Sequence, residues 1–278
     1  MRYFGGWLAV VLSPGWLSGV HAQAPDIYDQ PHSAQYANHL FSNKQYELAA
    51  TEYERLVFMD STNLQYKSRL FESYRHSGQT ETGIRRFSEL FPDFTSVNEP
   101  FASQYTDLLL FGNHYATAEL YLQTNPHLQP VRDYYFMNLD FFNGRWTSAQ
   151  QYYKVHADDP VFKPYQSLAQ RSAHLTLKSP ALAGLLSTVI PGAGKAYAHE
   201  WKDGLFSFLL VGSSFFEAWH SYHIRGTRSV NAWIFAGLGA GFYLGNIYGS
   251  VKSARRYNAQ KQAALSDEAK HIFSLQHP

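Results

Sequence analysis

The stretch SPALAGLLSTVIPGAGKAYAHEWKDGLFSFLLVGSSFFEAWHSYHIRGTRSVNAWIFAGLGAGFYLGNIYGSVKSARRY, residues 179–257, decides how this chain is read. Two apolar segments inside it, 204–224 and 231–251, are each close to the ~20 residues that cross a ~30 Å hydrocarbon core. Neither contains Lys or Arg, and the first is interrupted by Glu217, His220 and His223. The expectation is a transmembrane helical hairpin, turned by the segment holding Arg225 and Arg228, with everything before it as cargo.

The second segment carries a regular spacing. Gly237, Gly241, Gly245 and Gly249 recur every fourth residue, with Ala236 and Ala240 beside them. Residues four apart share a helix face, so this face has almost no side chain. In lipid such a face permits close helix packing. Its simplest partner is the first segment, through Ser207, Ser214 and Ala218; self-association into a homo-oligomer uses the same chemistry. Glu217 and His220 are three apart, hence on one side of the first helix, and Asn246 is within reach of either across the hairpin. Ionisable residues inside a membrane are costly and mark relays, substrate contacts or ligand pairs. Placement in the headgroup zone beside Trp219 and Tyr222 is the structural alternative.

Upstream, Leu182–Ile190 is apolar but only about 14 Å long as a helix, too short to span, and Pro191-Gly192 breaks it. It is therefore expected to be interfacial or re-entrant. The Gly-Ala-Gly-Lys that follows is not a phosphate loop: Ala196 stands where Ser or Thr must follow the lysine, and the upstream glycine is missing. His199-Glu200 lacks the second histidine of a zinc-protease motif. Ser187, Pro191, Gly192, Gly194 and Tyr197, followed by Lys202-Asp203-Gly204, resemble a small bacterial membrane domain, the two-transmembrane-span family, found behind helical repeats. The resemblance covers 179–257 and implies paired spans after a short helix. It implies no defined activity, and Lys195 departs from the glutamine common at that position.

The preceding half repeats. Ala49, Gly83, Ala118 and Ala149 are spaced by 34, 35 and 31 residues, and four residues after each stands Tyr53, Phe87, Leu122 or Tyr153. Turn residues Asn43, Gly78, Gly112 and Gly144 precede them, and Tyr36/Leu40, Leu70/Tyr74, Tyr105/Leu109 and Phe136/Leu139 form a helical apolar stripe upstream. Pro92, Pro126 and Pro160 close the units. This pattern resembles the tetratricopeptide repeat over 33–159, although the family's Trp-Leu-Gly opening is absent; a generic array of helical hairpins is the alternative. A helix over 161–178 caps the array, so the repeat domain runs 33–178. Such solenoids hold a peptide or protein in an inner groove. The candidates on the first helices are Asn38, Arg69, Tyr74, Gln104 and Asn138.

Residues 1–22 have one Arg, an apolar run and Val20-His21-Ala22, the outline of a secretory signal peptide; an uncleaved anchor is the alternative. The 278 residues carry a net charge of +1 and no cysteine, which gives no general reason to expect nucleic acid and excludes disulfides and thiolate chemistry. Residues 258–278 read as a polar tail behind the basic residues Lys252, Arg255 and Arg256. With two spans and exported repeats, that basic run lies outside the cytoplasm, against the positive-inside tendency; a third span or cytoplasmic repeats would remove the conflict. The fold expected is an all-α tetratricopeptide-like solenoid followed by a membrane hairpin. The function expected is a non-catalytic envelope scaffold at the bacterial inner membrane, repeats in the periplasm, without cofactor or metal, whose partners are an envelope protein or peptide and membrane lipid. The rival is a transport or membrane-enzyme component using Glu217 and His220.

Overall fold

A computed structural model describes residues 29–94 and 96–277, and every regular element among them is helical. The signal-like segment 1–22 lies outside the described residues. Contacts divide the chain into two compact units, the first ending at Gln79 and the second beginning at Thr80.

The first unit holds α1 (Gln30–Ser42), α2 (Tyr46–Met59) and α3 (Leu64–His76), packed in chain order. Asp29 caps α1 by accepting from the His32 N–H, and Asn63 caps α3 by accepting from Gln65 and Tyr66. Ala37, Leu40, Ala49, Tyr53, Leu56 and Leu70 are buried.

The second unit begins with α4 (Thr80–Leu90), α5 (Glu99–Phe111), α6 (Tyr115–Thr124), α7 (Arg132–Phe142), α8 (Trp146–Val155) and α9 (Gln166–Ala173). Each packs on the next, the solenoid-like pattern that the repeat spacing predicts. It continues through α10 (Pro180–Val189), α11 (Ala193–Tyr197), α12 (Trp201–Arg225) and α13 (Val230–Gln276). The division between units therefore falls inside the second repeat, and not at 178/179 where composition placed it.

The reversals inside the repeats share one device. Lys44, Gly78, Asn113 and Gly144 each adopt positive φ, at 59°, 72°, 61° and 70°. The next amide in each case donates back to a carbonyl five residues earlier: Gln45 to Leu40, Gln79 to Tyr74, His114 to Leu109, Arg145 to Asp140. This closure satisfies carbonyls that the helix end leaves open. In the first and third turns the left-handed residue is Lys44 or Asn113, one later than the expected Asn43 and Gly112. Ala49, Gly83, Ala118 and Ala149 are all buried in the helix after the turn.

Two expectations for the C-terminal half require correction. No helix among the described residues is long and apolar enough to cross a membrane, so the spans expected at 204–224 and 231–251 are not supported as such. Length is not what fails, because α12 has 25 residues and α13 has 47. Glu217 and the histidines dilute α12, while Asn246 and the glycines dilute α13. The second correction concerns 258–278, which is no separate tail but the continuation of α13. Leu265, Ala269 and Phe273 form a buried stripe at four-residue spacing, and this half of α13 packs against α7 and α9. Phe273 lies against Phe111, Tyr134, Tyr135 and Phe142. Ser266 donates to the Phe142 carbonyl, Gln276 to the Val161 carbonyl, and Arg171 pairs with Glu268. Composition hid this because the stripe is narrow and the outer face of the helix is polar.

Phe273 is 2% exposed. Phe273→Ala should destabilise the second unit by about 3–5 kcal/mol, read as a lowered thermal midpoint by circular dichroism. An unchanged midpoint would mean that the end of α13 is not docked.

Candidate functional site

The Pro-Gly motif lies where α10, α11, α12 and α13 meet. Gly192 has φ +88°, and a Cβ built on it would stand 2.0 Å from the Gly204 carbonyl oxygen. A Cβ on Gly194 would be 1.9 Å from the Ala183 oxygen, and one on Gly204 would be 2.6 Å from the Gly192 oxygen. Only glycine permits these backbone approaches, and at Gly192 the backbone conformation also requires it. Side chains of α10 and α13 satisfy the amides exposed by the break. The Gly192 N–H donates to Asn246 Oδ1 at 3.0 Å, and the Gly194 N–H to Ser187 Oγ at 2.9 Å. Ser187 and Ser250 share a 2.7 Å hydrogen bond, and Ser250 donates back to the Asn246 carbonyl. The motif residues therefore build a structural clasp. The Tyr197 hydroxyl accepts from the Ser179 N–H, and Lys178 lies over its ring.

Below the clasp, Lys195 donates to Ser207 Oγ at 2.9 Å. Glu200 accepts from Ser253 at 2.5 Å and from two Arg256 nitrogens at 3.1 and 2.5 Å. Desolvation raises the Glu200 pKa, but these hydrogen bonds and the charges of Arg256 and Lys195 outweigh it, so the carboxyl titrates below its ordinary value. None of Glu200, Ser250, Ser253 and Arg256 was singled out from sequence as part of this site. The available signal was the polar series Asn246, Ser250, Ser253 at helical spacing in an otherwise apolar run.

The hairpin packs differently from the glycine expectation. On α12 the buried residues are Gly204, Ser207, Val211, Ser214 and Ala218, spaced alternately three and four apart, which includes the three small residues expected there. On α13, however, Ala232, Gly239, Asn246 and Ser250 are buried. A Cβ at Gly237, Gly241 or Gly245 would meet nothing within 4 Å, and Gly249 has only Lys195 nearby. The glycine stripe thus does not mediate packing against α12. Asn246 binds Gly192, not Glu217 or His220. Glu217 accepts from Ser221 at 3.0 Å, while the exposed His220 stacks on Phe216; the structure records no bond between Glu217 and His220.

The expected groove residues scatter. In the first unit, Asn38 accepts from Tyr53, Tyr74 donates to Glu54, and Arg69 pairs with Glu72 over the Phe41 ring. In the second, Asn138 is fully buried, accepting from Tyr165 and donating to the Tyr134 carbonyl; its role is core polar satisfaction. Gln104 lines a cavity of about 630 Å³, with Asp107, Tyr134, Tyr135, Phe162 and His277. Asp107 there accepts from Tyr135 at 2.9 Å. Burial first, and then the Asp107 charge, push the Tyr135 hydroxyl well above its ordinary pKa, so it remains a donor. The end of α13 forms part of the cavity wall.

Because the Glu200 pKa is depressed on folding, its contribution is fully present above the unfolded value near 4.5 and is lost as pH falls through the lower folded value. The stability difference between the wild type and Glu200→Gln should therefore be constant from pH 7 to 5 and shrink below pH 4.5, in thermal melts taken across that range. Gly194→Ala should lower the melting temperature at every pH, since its Cβ meets backbone; an equal melting temperature would refute the close approach.

No family model, curated protein or solved structure matches this chain.

Proposed function

We propose that the chain is a non-catalytic scaffold anchored in a membrane by the α10–α13 clasp and hairpin, which presents its helical repeats to a protein partner in a bacterial cell envelope. The observation that carries this reading is a change of surface chemistry along one continuous helix. On α13, the exposed positions from Trp233 to Tyr248 are apolar, aromatic or glycine, including Trp233, Ile234, Leu238 and Leu244. From Lys252 onward the exposed positions include Arg255, Arg256, Gln260, Lys261, Asp267 and His271, with three alanines between them and Leu275 as the one large apolar side chain. The outer side of α12 matches the first part, with Leu205, Phe206, Leu209, Phe216 and Trp219 exposed; α10 adds Leu185 and Val189, and Ile190 follows at its end. Apolar surface of this extent marks an interaction with lipid or protein.

The low hydropathy of the single helices is compatible with this reading. Averaging along a helix counts both faces, and Ser207, Ser214, Asn246 and Ser250 are buried inside the hairpin. What meets the surroundings is more apolar than the average. The same geometry accounts for the Pro-Gly break, because backbone amides at membrane depth must be satisfied by protein, as Asn246 and Ser187 do here. The signal-like sequence at 1–22 supports export of the repeats. The cavity beside Gln104 supports a partner site on their second unit.

The chain has no cysteine, so single labels can be placed freely. A nitroxide on Leu238→Cys, in the full chain reconstituted into vesicles, should collide readily with oxygen and be protected from a water-soluble nickel chelate. A nitroxide on His271→Cys should show the reverse. Equal nickel accessibility at both sites would overturn the membrane reading.

A further inference from the structure

The register of the hairpin fixes which side chains share a level. Glu200 binds Arg256, a Cβ on Gly239 would touch the Phe215 ring at 3.3 Å, and Trp233 Nε1 donates to the Thr227 carbonyl. The two helices therefore run antiparallel in a constant register from base to tip. At the base, Lys202 on α12 lies level with Lys252 on α13, and Arg255 follows within one turn. All three are exposed. They lie immediately beyond Leu205 and Tyr248, where the apolar band ends. Lys195, held to Ser207 beside Gly249, adds a charge at the same edge. The carboxylates of this layer are Asp203 and Glu200, and Glu200 is taken up by Arg256 and Ser253. Trp201, 60% exposed, stands beside Lys202 in this layer, at a level that aromatic residues favour at a bilayer interface.

We propose that this layer is a binding surface for the headgroups of anionic phospholipids, with Lys202, Lys252 and Arg255 as its principal contacts. The inference rests on the membrane reading above, and its particular content is lipid selectivity. A cationic side chain at an anionic surface contributes about 1 kcal/mol, or roughly fivefold in affinity. Three cations on one edge, continuous with an apolar face that fixes their depth, favour anionic over zwitterionic lipid. The apolar band alone has no such preference.

The test is quenching of tryptophan fluorescence by brominated lipid, with the full chain reconstituted in vesicles where either the phosphatidylglycerol or the phosphatidylcholine carries the bromine. The expected result is quenching by both, with a relative binding constant at least fivefold in favour of phosphatidylglycerol. That preference should fall to about one in 0.5 M salt and in the triple variant Lys202→Gln, Lys252→Gln, Arg255→Gln, while quenching by phosphatidylcholine is retained. Equal quenching by the two lipids in the wild type, or a preference that survives both salt and substitution, overturns the collar and leaves the anchor standing. Quenching by neither lipid overturns the membrane reading itself. Should the triple variant fail to reconstitute, the salt series on the wild type decides the question.

Discussion

The C-terminal half of this molecule depends on backbone meeting backbone at Gly192, Gly194 and Gly204. A chain that breaks a helix and immediately restarts it leaves amides without intrahelical partners, and burying them unpaired is costly. Here the break is closed by contact so tight that any Cβ would collide with a carbonyl oxygen. The freed amides go to Asn246 and Ser187. Because Asn246 and Ser250 belong to α13, and Gly204 to α12, one short loop sets the position of three helices. The hairpin register and the level of every exposed side chain on it follow from that arrangement.

The clasp also orients the remainder of α13. A helix of 47 residues extends for about 70 Å, and its two halves serve different surroundings. The first half pairs with α12 through small and polar residues and turns large apolar side chains outward. The second half turns apolar residues inward, with Phe273 among the aromatic rings of α5 and α7. Its inward stripe is held at the far end by Gln276, which accepts from the Tyr134 hydroxyl and donates to the Val161 carbonyl. The repeats of the second unit are therefore joined to the hairpin by an uninterrupted helix. This continuity explains why contacts assign them to one unit despite their difference in composition.

Much of the repeat was legible because it rests on local rules. The spacing of Ala49, Gly83, Ala118 and Ala149 identifies the points of close helix approach, and the turns recur with the same closure. What was not legible depends on which way a helix faces. Gly237, Gly241 and Gly245 form the most regular pattern in the chain, yet they point outward, since a four-residue spacing fixes that residues share a face without fixing what the face meets. The seven-residue spacing of Ala232, Gly239, Asn246 and Ser253 held the packing information. The polarity of Asn246 points to Glu217 or His220, whereas its partner is the Gly192 main-chain amide, to which side-chain chemistry gives no clue. The docked end of α13 is hidden for the related reason that only Leu265, Ala269 and Phe273 are buried along it.

The same reasoning separates the motif from its chemical look-alikes. Gly-Ala-Gly-Lys resembles an anion cradle in composition, but a cradle needs amides that remain free for a ligand. In this loop the amides of Gly192 and Gly194 are already bound to side chains, and the α11 helix that begins within it at Ala193 has only five residues. Lys195, which would face a phosphate in a nucleotide site, instead donates to Ser207 and lies along the bare surface of Gly249. A glycine there leaves room for the lysine stem between helices, so its ammonium reaches the edge of the apolar band. The loop's glycines are thus accounted for by packing, and the lysine that accompanies them by its hydrogen bond to Ser207 at the base of the hairpin.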